Sequence, residues 1–391
     1  MKWPVKKLSE ICEINIGRTP SRSNANYWKN GEYAWLSISD MTRAVDIVET
    51  KEKISNLAIS ECNCKLVPIN TVLLSFKLSI GKVGINKIPL YTNEAIAALP
   101  IKQTKILSNR FLFHALKNTN FTEGVDRAAK GLTLNKEKLK EVKIPFPPLA
   151  EQQRIAAVLD TADRIHKQRE SAIAKLDQLA QSVFVDMFGN LVSNSNSWPV
   201  VKLNDACLIK AQYGAGLSAV EFNSSLPRYV RITDINEDGS LNEKVVSPSG
   251  SKSDWADYFL NDGDILFARS GATVGKAYLH SNQIQQCIYA GYLIRFIPNK
   301  KLMTSEFLYA LTKSSFYKNW VKAKQNAVAQ PNINANQYGN ELVFPLPPIT
   351  LQEKFTNFHN KIKSFKEVEI LASIKHNQLQ SSIQHQSFAV N

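Results

Sequence analysis

The sequence predicts an α+β fold in which two globules alternate with two long helices. A stretch from Pro145 to Gly189 opens on prolines, then contains neither glycine nor proline before Gly189, and is rich in residues that favour helix. The stretch from residue 345 onward repeats this layout. The rest of the chain is doubled in the same order, which predicts a repeated unit of globule and helix.

Apolar residues recur along the first long stretch at spacings of three and four, the heptad pattern of a coiled coil, and only Arg169 interrupts them. They are Val158, Ala162, Ile165, Ala172, Leu176, Leu179 and Val183. About forty residues at a rise of 1.5 Å make a helix of roughly 60 Å, and so narrow an apolar stripe predicts one partner helix. We therefore expect these residues to lie in a core between two helices.

The second long stretch supplies that partner. Its Pro347-Pro348 pair corresponds to Pro147-Pro148, and its Gln352 corresponds to Gln152. Proline is tolerated in the first turn of a helix, so both blocks predict a helix start. The second seam comprises Phe355, Phe358, Ile362, Phe365, Ala372, Leu379 and Ile383. The polar seam residues Arg169, Glu369 and His376 either fix the register of an antiparallel coiled coil or tip outward, and both interpretations stay open.

The globules repeat as well. Trp3-Pro4 opens the first half and Trp198-Pro199 the second, WLSISDM at 35–41 matches VRITDIN at 230–236, and Gly81-Lys82 matches Gly275-Lys276. Each half reads as short strands, an amphipathic helix (108–118 and 304–320), a polar loop, and a strand that feeds the long helix. We expect globules at 1–144 and 190–344 and helices at 145–189 and 345–391. Antiparallel helices give such a chain pseudo-two-fold symmetry, which suits duplex DNA with two half-sites.

The composition favours an anionic partner without settling its nature. Lys and Arg number 48 against 34 Asp and Glu, a formal net charge of +14. The five cysteines form no CxxC pair and no cluster of zinc spacing, so we expect reduced thiols in a cytoplasmic protein. The opening MKWPVKKLSE has no apolar core of a signal peptide, and no run of 18 apolar residues predicts a membrane span.

The chain resembles the specificity subunit of type I restriction-modification systems over essentially its whole length. The block PFPPLAEQQRI at 145–155 carries the resemblance most specifically, and the Trp-Pro openings and GDILFARSGATVGK at 263–276 support it. The resemblance implies a non-catalytic subunit without cofactor, whose two target-recognition domains each read one half of a split double-stranded DNA site. It also implies that the paired helices act as a spacer and dock two adenine-N6 methyltransferase subunits, through which restriction-translocation subunits join. The second helix has ITLQEKF where the first has LAEQQRI, so the sequence that implies docking matches the family less closely in the second helix.

Enzyme motifs are incomplete in this sequence. The segment 146–149 has two prolines but neither the polar residue before them nor the aromatic residue after them that an amine methyltransferase loop needs. The segment GATVGK at 271–276 is one residue short of a P-loop and is followed by Ala277 instead of Ser or Thr. Two alternatives stay open: a coiled-coil protein scaffold without sequence-specific DNA reading, and an enzyme with its own chemistry on one globule.

Basic and amide side chains on loops are the candidates for DNA contacts, because Arg and Lys bind guanine and phosphate while Asn and Gln bind adenine. In the first globule these are Arg18, Arg22, Lys77, Lys82, Arg127 and Lys130. In the second they are Arg231, Arg269, Lys276, Gln325, Gln330, Asn332 and Asn334. For each of them a solvated surface residue is the alternative. No metal site is predicted.

Partner docking is expected at the two helix starts, 149–154 and 349–354, because the Pro-Pro-x-x-x-Gln motif occurs at both and because of the resemblance. The candidate docking residues are Pro147, Pro148, Gln152, Arg154, Pro347, Pro348 and Gln352.

Overall fold

A computed structural model describes residues 3–42, 45–121, 126–128, 131–281, 285–325 and 331–388, without the side chains of 126–128 and 131–133. The contacts divide the chain into two compact units. The first is Met1–Arg169 with Leu371–Asn391, and the second is Glu170–Ile370. Each unit thus holds one globule and one half of each long helix. No helix in the described ranges is both long and apolar enough to cross a membrane.

The first unit is built from short strands and four short helices besides its share of the long ones, counted over the described residues. The strands are β1 (Val5–Lys7), β2 (Asn15–Ile16), β3 (Tyr33–Leu36), β4 (Asp46–Ile47), β5 (Glu52–Ile54), β6 (Val72–Ser75), β7 (Val83–Asn86), β8 (Tyr91–Thr92), β9 (Ile96–Leu99), β10 (Asp126–Ala128), β11 (Gly131–Thr133) and β12 (Lys143–Pro145). The helices are α1 (Leu8–Ile11), α2 (Asn56–Glu61), α3 (Asn109–Lys117) and α4 (Lys136–Lys140), followed by the long α5 (Leu149–Phe188).

A five-stranded sheet of order β2-β9-β6-β7-β4 forms the centre of the first unit, beside a three-stranded sheet of order β5-β3-β8. Strands β6 and β9 are buried at every position, as expected of the apolar runs VLLS and IAAL. Helix α3 begins where the Ser108 hydroxyl accepts from the backbone N–H of Phe111, and its apolar face shares one core with β6, β9 and α5. The sequence prediction of a helix over 108–118 is confirmed.

The second unit repeats this plan with insertions. Its strands are β13 (Val200–Lys202), β14 (Gln212–Tyr213), β15 (Ala219–Glu221), β16 (Arg228–Val230), β17 (Val246–Pro248), β18 (Ile265–Ala268), β19 (Ala277–Leu279), β20 (Cys287–Tyr289), β21 (Leu293–Phe296) and β22 (Val343–Pro345). Its helices are α6 (Lys252–Trp255), α7 (Ser305–Lys313), α8 (Ser315–Gln325), a π-helical turn (Gln337–Glu341) and the long α9 (Ile349–Phe388). The central sheet has the order β14-β21-β18-β19 and is antiparallel.

The expected single helix over 304–320 is wrong, because the segment forms α7 and α8 with a break at Ser314. Ser314 takes extended backbone angles, and its hydroxyl accepts from the backbone N–H of Tyr317, which starts a new helix. Serine competes for backbone hydrogen bonds in this way, and the sequence periodicity does not reveal the break.

The same small ladder ties each globule to its long helix. Strand β1 pairs with β12 and β13 with β22, both antiparallel and in equivalent register. Just after each ladder, Phe146 donates its backbone N–H to Pro4 (2.7 Å) and Leu346 to Pro199 (2.8 Å). Each Trp-Pro opening therefore leads directly into the strand that anchors the segment before a long helix, and the doubled organisation is confirmed.

Helices α5 and α9 run antiparallel within each unit. In the first unit His376 Nε2 lies 2.9 Å from the carbonyl oxygen of Ala162, while Phe388 packs in the core that holds Ile155. In the second unit Lys366 Nζ lies 2.6 Å from Asp177, while the rings of Phe355 and Phe184 are 5.6 Å apart. The predicted antiparallel pairing of two long helices is confirmed.

The predicted seam is wrong at several positions. Val158, Leu179, Phe365 and Leu379 are 36%, 45%, 64% and 61% exposed, whereas Ile155, Leu159 and Phe184, which are not in the predicted seam, are buried. The seam residue Phe355 is buried as predicted. The buried residues lie near the helix ends, where each helix packs on its own globule as well as on the other helix. The buried face there is consequently wider than a coiled-coil seam and turned toward the globule.

Candidate nucleic-acid interface

Arg269 directly follows strand β18 of the second unit, at a place where four segments of the globule meet. The backbone N–H of Arg269 donates to the carbonyl of Tyr292 (3.1 Å), and its carbonyl accepts from Ile333 (2.8 Å). Its guanidinium carbon lies 4.9 Å from the ring centre of Tyr213 and 5.9 Å from that of Tyr292. We refer to Tyr213, Arg269, Tyr292 and the exposed Asn332 as the Arg269 cluster. Asn332 belongs to it through a bridge with Ser270.

The surroundings of this cluster are fixed. The Tyr213 hydroxyl accepts from the backbone N–H of Ala335 (3.0 Å). Asn334 and Gln337 each accept the other's backbone N–H through their side-chain oxygens, both at 2.9 Å. Asn334 therefore holds the turn beside the cluster with its side chain. The fold brings Arg269, Asn332 and Asn334 together as candidates, whereas sequence reasoning missed Tyr213 and Tyr292. Tyr213 is the last residue of β14 and precedes Gly214.

The first unit has the same backbone arrangement with different side chains. Phe76 donates its N–H to Ala95 and accepts from Leu134, both at 3.0 Å, as Arg269 does with Tyr292 and Ile333. The Phe76 side chain is buried, and the candidate Lys77 follows it, half-exposed and 5.4 Å from the Phe76 ring. Leu78 has a φ of 65° where Gly271 of the second unit has 66°. The two globules therefore present different chemistry on one scaffold.

Three predicted DNA-contacting cations already have acidic partners. Arg22 forms two hydrogen bonds with Glu52 (2.6 and 3.0 Å) and stacks 3.7 Å over the Trp28 ring. The hydrogen bond to Glu52 raises the pKa of Arg22. Arg231 is paired with the buried Asp234 (2.8 Å) and Lys276 with Glu237 (2.7 Å). A phosphate contact by any of them requires exchange of a carboxylate for a phosphate.

The remaining candidates differ in their surroundings. Arg18 is exposed, and its carbonyl accepts from the Trp35 indole (3.0 Å). Lys82 contacts the Thr42 hydroxyl, and Gln325 is half-exposed at the last residue of α8. Lys130 and Gln330 lie outside the described residues. Arg127 has its backbone in β10, but its side chain lies outside the description.

The two glutamines of the helix starts are fully buried. Gln152 accepts from the backbone N–H of Ser108 (2.9 Å) and donates to the carbonyls of Ile106 (2.9 Å) and Pro147 (2.8 Å). Gln352 forms the same set with Thr304 (3.0 Å), Leu302 (3.0 Å) and Pro347 (2.7 Å). We call each set a glutamine clasp. It joins the first turn of the long helix to the residue that caps α3 or α7.

The clasps give the repeated motif an internal role. Gln152 lies on the face of α5 that also buries Ile155 and Leu159, and this spacing is a sequence signal for burial. Pro147 and Pro347 are buried as well, whereas Pro148, Pro348 and Arg154 are exposed. Arg154 pairs with Glu151 (2.7 Å) one turn earlier. A partner that docks at the helix starts therefore meets the second proline of each pair and the outer face of the helix.

Comparisons with known proteins agree with this duplicated plan. A family model described as the type I restriction modification DNA specificity domain matches residues 1–175 and again residues 196–376. The chain is 24% identical to the type I restriction enzyme MjaIX specificity subunit of Methanocaldococcus jannaschii, over 95% of this chain and 90% of the relative. The MjaVIII specificity subunit of the same organism is 22% identical, over 94% and 87%.

Solved structures share the fold. The S subunit of a type I restriction-modification system from M. genitalium matches with a TM-score of 0.64 and 15% identity, over 100% of this chain and 97% of that one. A chain from a study of assembly of the type I restriction-modification system matches with a TM-score of 0.56 and 17% identity, over 99% and 97%. The family-model matches confirm the family of type I specificity subunits predicted from the helix-start block and the repeat, and the solved structures confirm the fold. The chain belongs to the family of type I restriction-modification DNA specificity domains and carries two copies in tandem.

Proposed function

We propose that this chain chooses the DNA sequence for a type I restriction-modification complex. The globule at 1–144 reads one half of a bipartite site and the globule at 190–344 reads the other. The chain docks adenine-N6 methyltransferase subunits, one for each repeat, and restriction subunits join through them. The observation that carries the proposal is the duplication: two copies of the family domain, each with its own terminal ladder and glutamine clasp.

Divergence on a shared backbone supports two different readers. Phe76 and Arg269 make equivalent backbone hydrogen bonds but offer a buried ring and a guanidinium. Side chains that differ at the end of the same strand are what two recognition loops on one scaffold need in order to bind different bases. A scaffold protein without DNA reading has no such need.

The charge supports DNA as the ligand. A formal net charge of +14 provides many phosphate contacts, and each neutralised phosphate releases counterions. Affinity for DNA should therefore fall steeply as salt rises, with a logarithmic slope of roughly −0.9 for each phosphate contacted. An affinity that is insensitive to salt would contradict this part of the proposal.

The long helices supply apolar surface for the methyltransferase. In the second unit, Leu179 and Val185 on α5 and Phe365 and Val368 on α9 are exposed. Large apolar side chains that remain in water on a helix mark protein interaction surfaces when they gather. We propose that one methyltransferase subunit covers these residues and Pro348 at the start of α9, and that another contacts Pro148 and Arg154 at the start of α5.

The test maps adenine methylation across the genome of a host that expresses this chain with its methyltransferase. Residues 190–344 are then exchanged for those of a related chain, and a second exchange replaces residues 1–144. A split motif, of which each exchange changes one half, supports the proposal. Methylation that does not depend on this chain, or a motif unchanged by both exchanges, overturns it in favour of the scaffold.

A further inference from the structure

The second unit contains four arginines, and three of them are held by internal acceptors. Arg228 donates from Nη2 to the carbonyl of Asn242 (2.7 Å), Arg231 donates to Asp234 (2.8 Å), and Arg295 donates to the carbonyl of Phe259 (2.7 Å). These contacts use the guanidinium groups to hold loops and strands together. These three guanidinium groups therefore stabilise the globule.

Arg269 is the exception. The Nε atoms of Arg228 and Arg269 are both buried without an acceptor, but Arg228 keeps its hydrogen bond from Nη2. The guanidinium of Arg269 has no hydrogen bond or ion pair at all within the part of the unit that the structure describes. A buried polar atom without a partner costs about 1–3 kcal/mol, so its retention needs an explanation. An acceptor that arrives with a ligand is such an explanation.

The guanidinium is nevertheless held in place. The rings of Tyr213 and Tyr292 lie 4.9 and 5.9 Å from its carbon, and the backbone is bonded on both sides of the residue. Arginine stacked on aromatic rings keeps its planar fork of N–H donors available and loses little entropy when it binds. A fixed planar fork fits two acceptors that lie side by side in one plane. The O6 and N7 atoms of guanine in the major groove are such a pair.

The surface beside the fork is open. A side chain at Gly271 or Gly216 would meet nothing within 4 Å, and Tyr292 is 60% exposed. Gly271 also has a φ of 66°, which disfavours any side chain there. The edge of a base pair can therefore approach Arg269 closely. The planar fork also fits two phosphate oxygens, so the experiment below is designed to separate a base contact from a phosphate contact.

We propose that Arg269 reads a guanine in the half-site of the second globule, with Tyr213 and Tyr292 as positioning residues. This inference rests on the proposed function and adds one base and one residue to it. The first globule has the buried Phe76 at the equivalent position, so it makes no such contact there.

The experiment uses the complex of the full chain with its methyltransferase subunits. Arg269→Gln replaces the fork with an amide that suits adenine, Arg269→Lys keeps the charge without the fork, and Lys301→Gln removes one exposed charge elsewhere as the matched control. Affinity is measured on duplexes in which each guanine of the second half-site is exchanged in turn, or is replaced by 7-deazaguanine. Methylated motifs are mapped in parallel.

For the unsubstituted chain we expect one guanine whose exchange weakens binding by about 5- to 150-fold, as a bidentate base contact does. In R269Q this discrimination is lost at that position only, R269K reduces it because a single ammonium lacks the planar fork, and K301Q keeps it. The inference is overturned if R269Q, folded by its melting temperature, retains the full motif, or if R269Q weakens all duplexes equally, as loss of a phosphate contact would. Failure of the proposed function is distinct, because the unsubstituted complex would then show no split motif.

Discussion

The glutamine clasp allows a sharp test of what holds each long helix to its globule. Gln152→Ala removes one acceptor and two amide N–H donors from a fully buried site, so the Ser108 N–H and the carbonyls of Ile106 and Pro147 each lose a hydrogen bond. At about 1 kcal/mol net for each hydrogen bond the loss is about 3 kcal/mol. The buried groups left without a partner raise this loss of unfolding free energy toward about 5 kcal/mol. A domain is stabilised by only about 5–15 kcal/mol, so this change is large.

The neighbouring Gln153 provides the control, because it is exposed on the same turn of α5. Gln153→Ala should change the free energy of unfolding by no more than about 0.5 kcal/mol. Denaturant unfolding of both variants gives the stability difference. Hydrogen exchange of the Ser108 amide locates it, since that N–H is held by Gln152 and should exchange faster in the variant.

Gln352→Ala makes the same test in the second unit, where Thr304 and Leu302 replace Ser108 and Ile106. The two clasps should cost similar free energies because their distances differ by no more than 0.1 Å at each equivalent bond. If Gln152→Ala is as stable as Gln153→Ala within about 0.5 kcal/mol, the clasp does not hold the helix start and the reasoning fails.

Three further results are expected. Burial, together with nearby Lys363 and Lys366, lowers the pKa of His359 to about 4, so the folded state loses stability as pH falls from about 6.5 toward 4. His359→Phe should reduce this acid-induced loss of unfolding free energy by about 1–3 kcal/mol. A variant that unfolds with the same pH dependence as the original chain would refute this. The ring of Phe184 packs against those of Phe188 (4.9 Å) and Phe355 (5.6 Å), so Phe184→Ala should lower the free energy of unfolding by about 3–5 kcal/mol. The control Val185→Ala, at an exposed position, should lower it by less than about 0.5 kcal/mol. Thermal or denaturant unfolding measures both. Arg18 has no acidic partner among the described residues, whereas Arg22 is paired with Glu52. Arg18→Gln should therefore reduce the logarithmic salt slope of DNA binding by about one, and Arg22→Gln should reduce it by less. Equal slopes for the two variants would contradict this prediction.

The sequence by itself determined the plan of this protein. The long helices are Leu149–Phe188 and Ile349–Phe388, inside the expected 145–189 and 345–391. Helix limits of this kind are local properties, because they depend on residues three and four apart and on proline and glycine. The repeat, the family and the strand that feeds each helix are also evident from short motifs in order along the chain.

Only the tertiary structure decided which of the basic side chains are paired internally and which remain available to DNA. Arg22 and Arg269 look alike in the sequence, yet Glu52, 30 residues away, occupies the first, whereas Tyr213 and Tyr292 hold the second with its donors free. The buried face of each long helix likewise depends on the globule that packs against it, which a heptad pattern does not contain. Pairing and burial are set by contacts between distant segments, and only the folded chain brings those segments together.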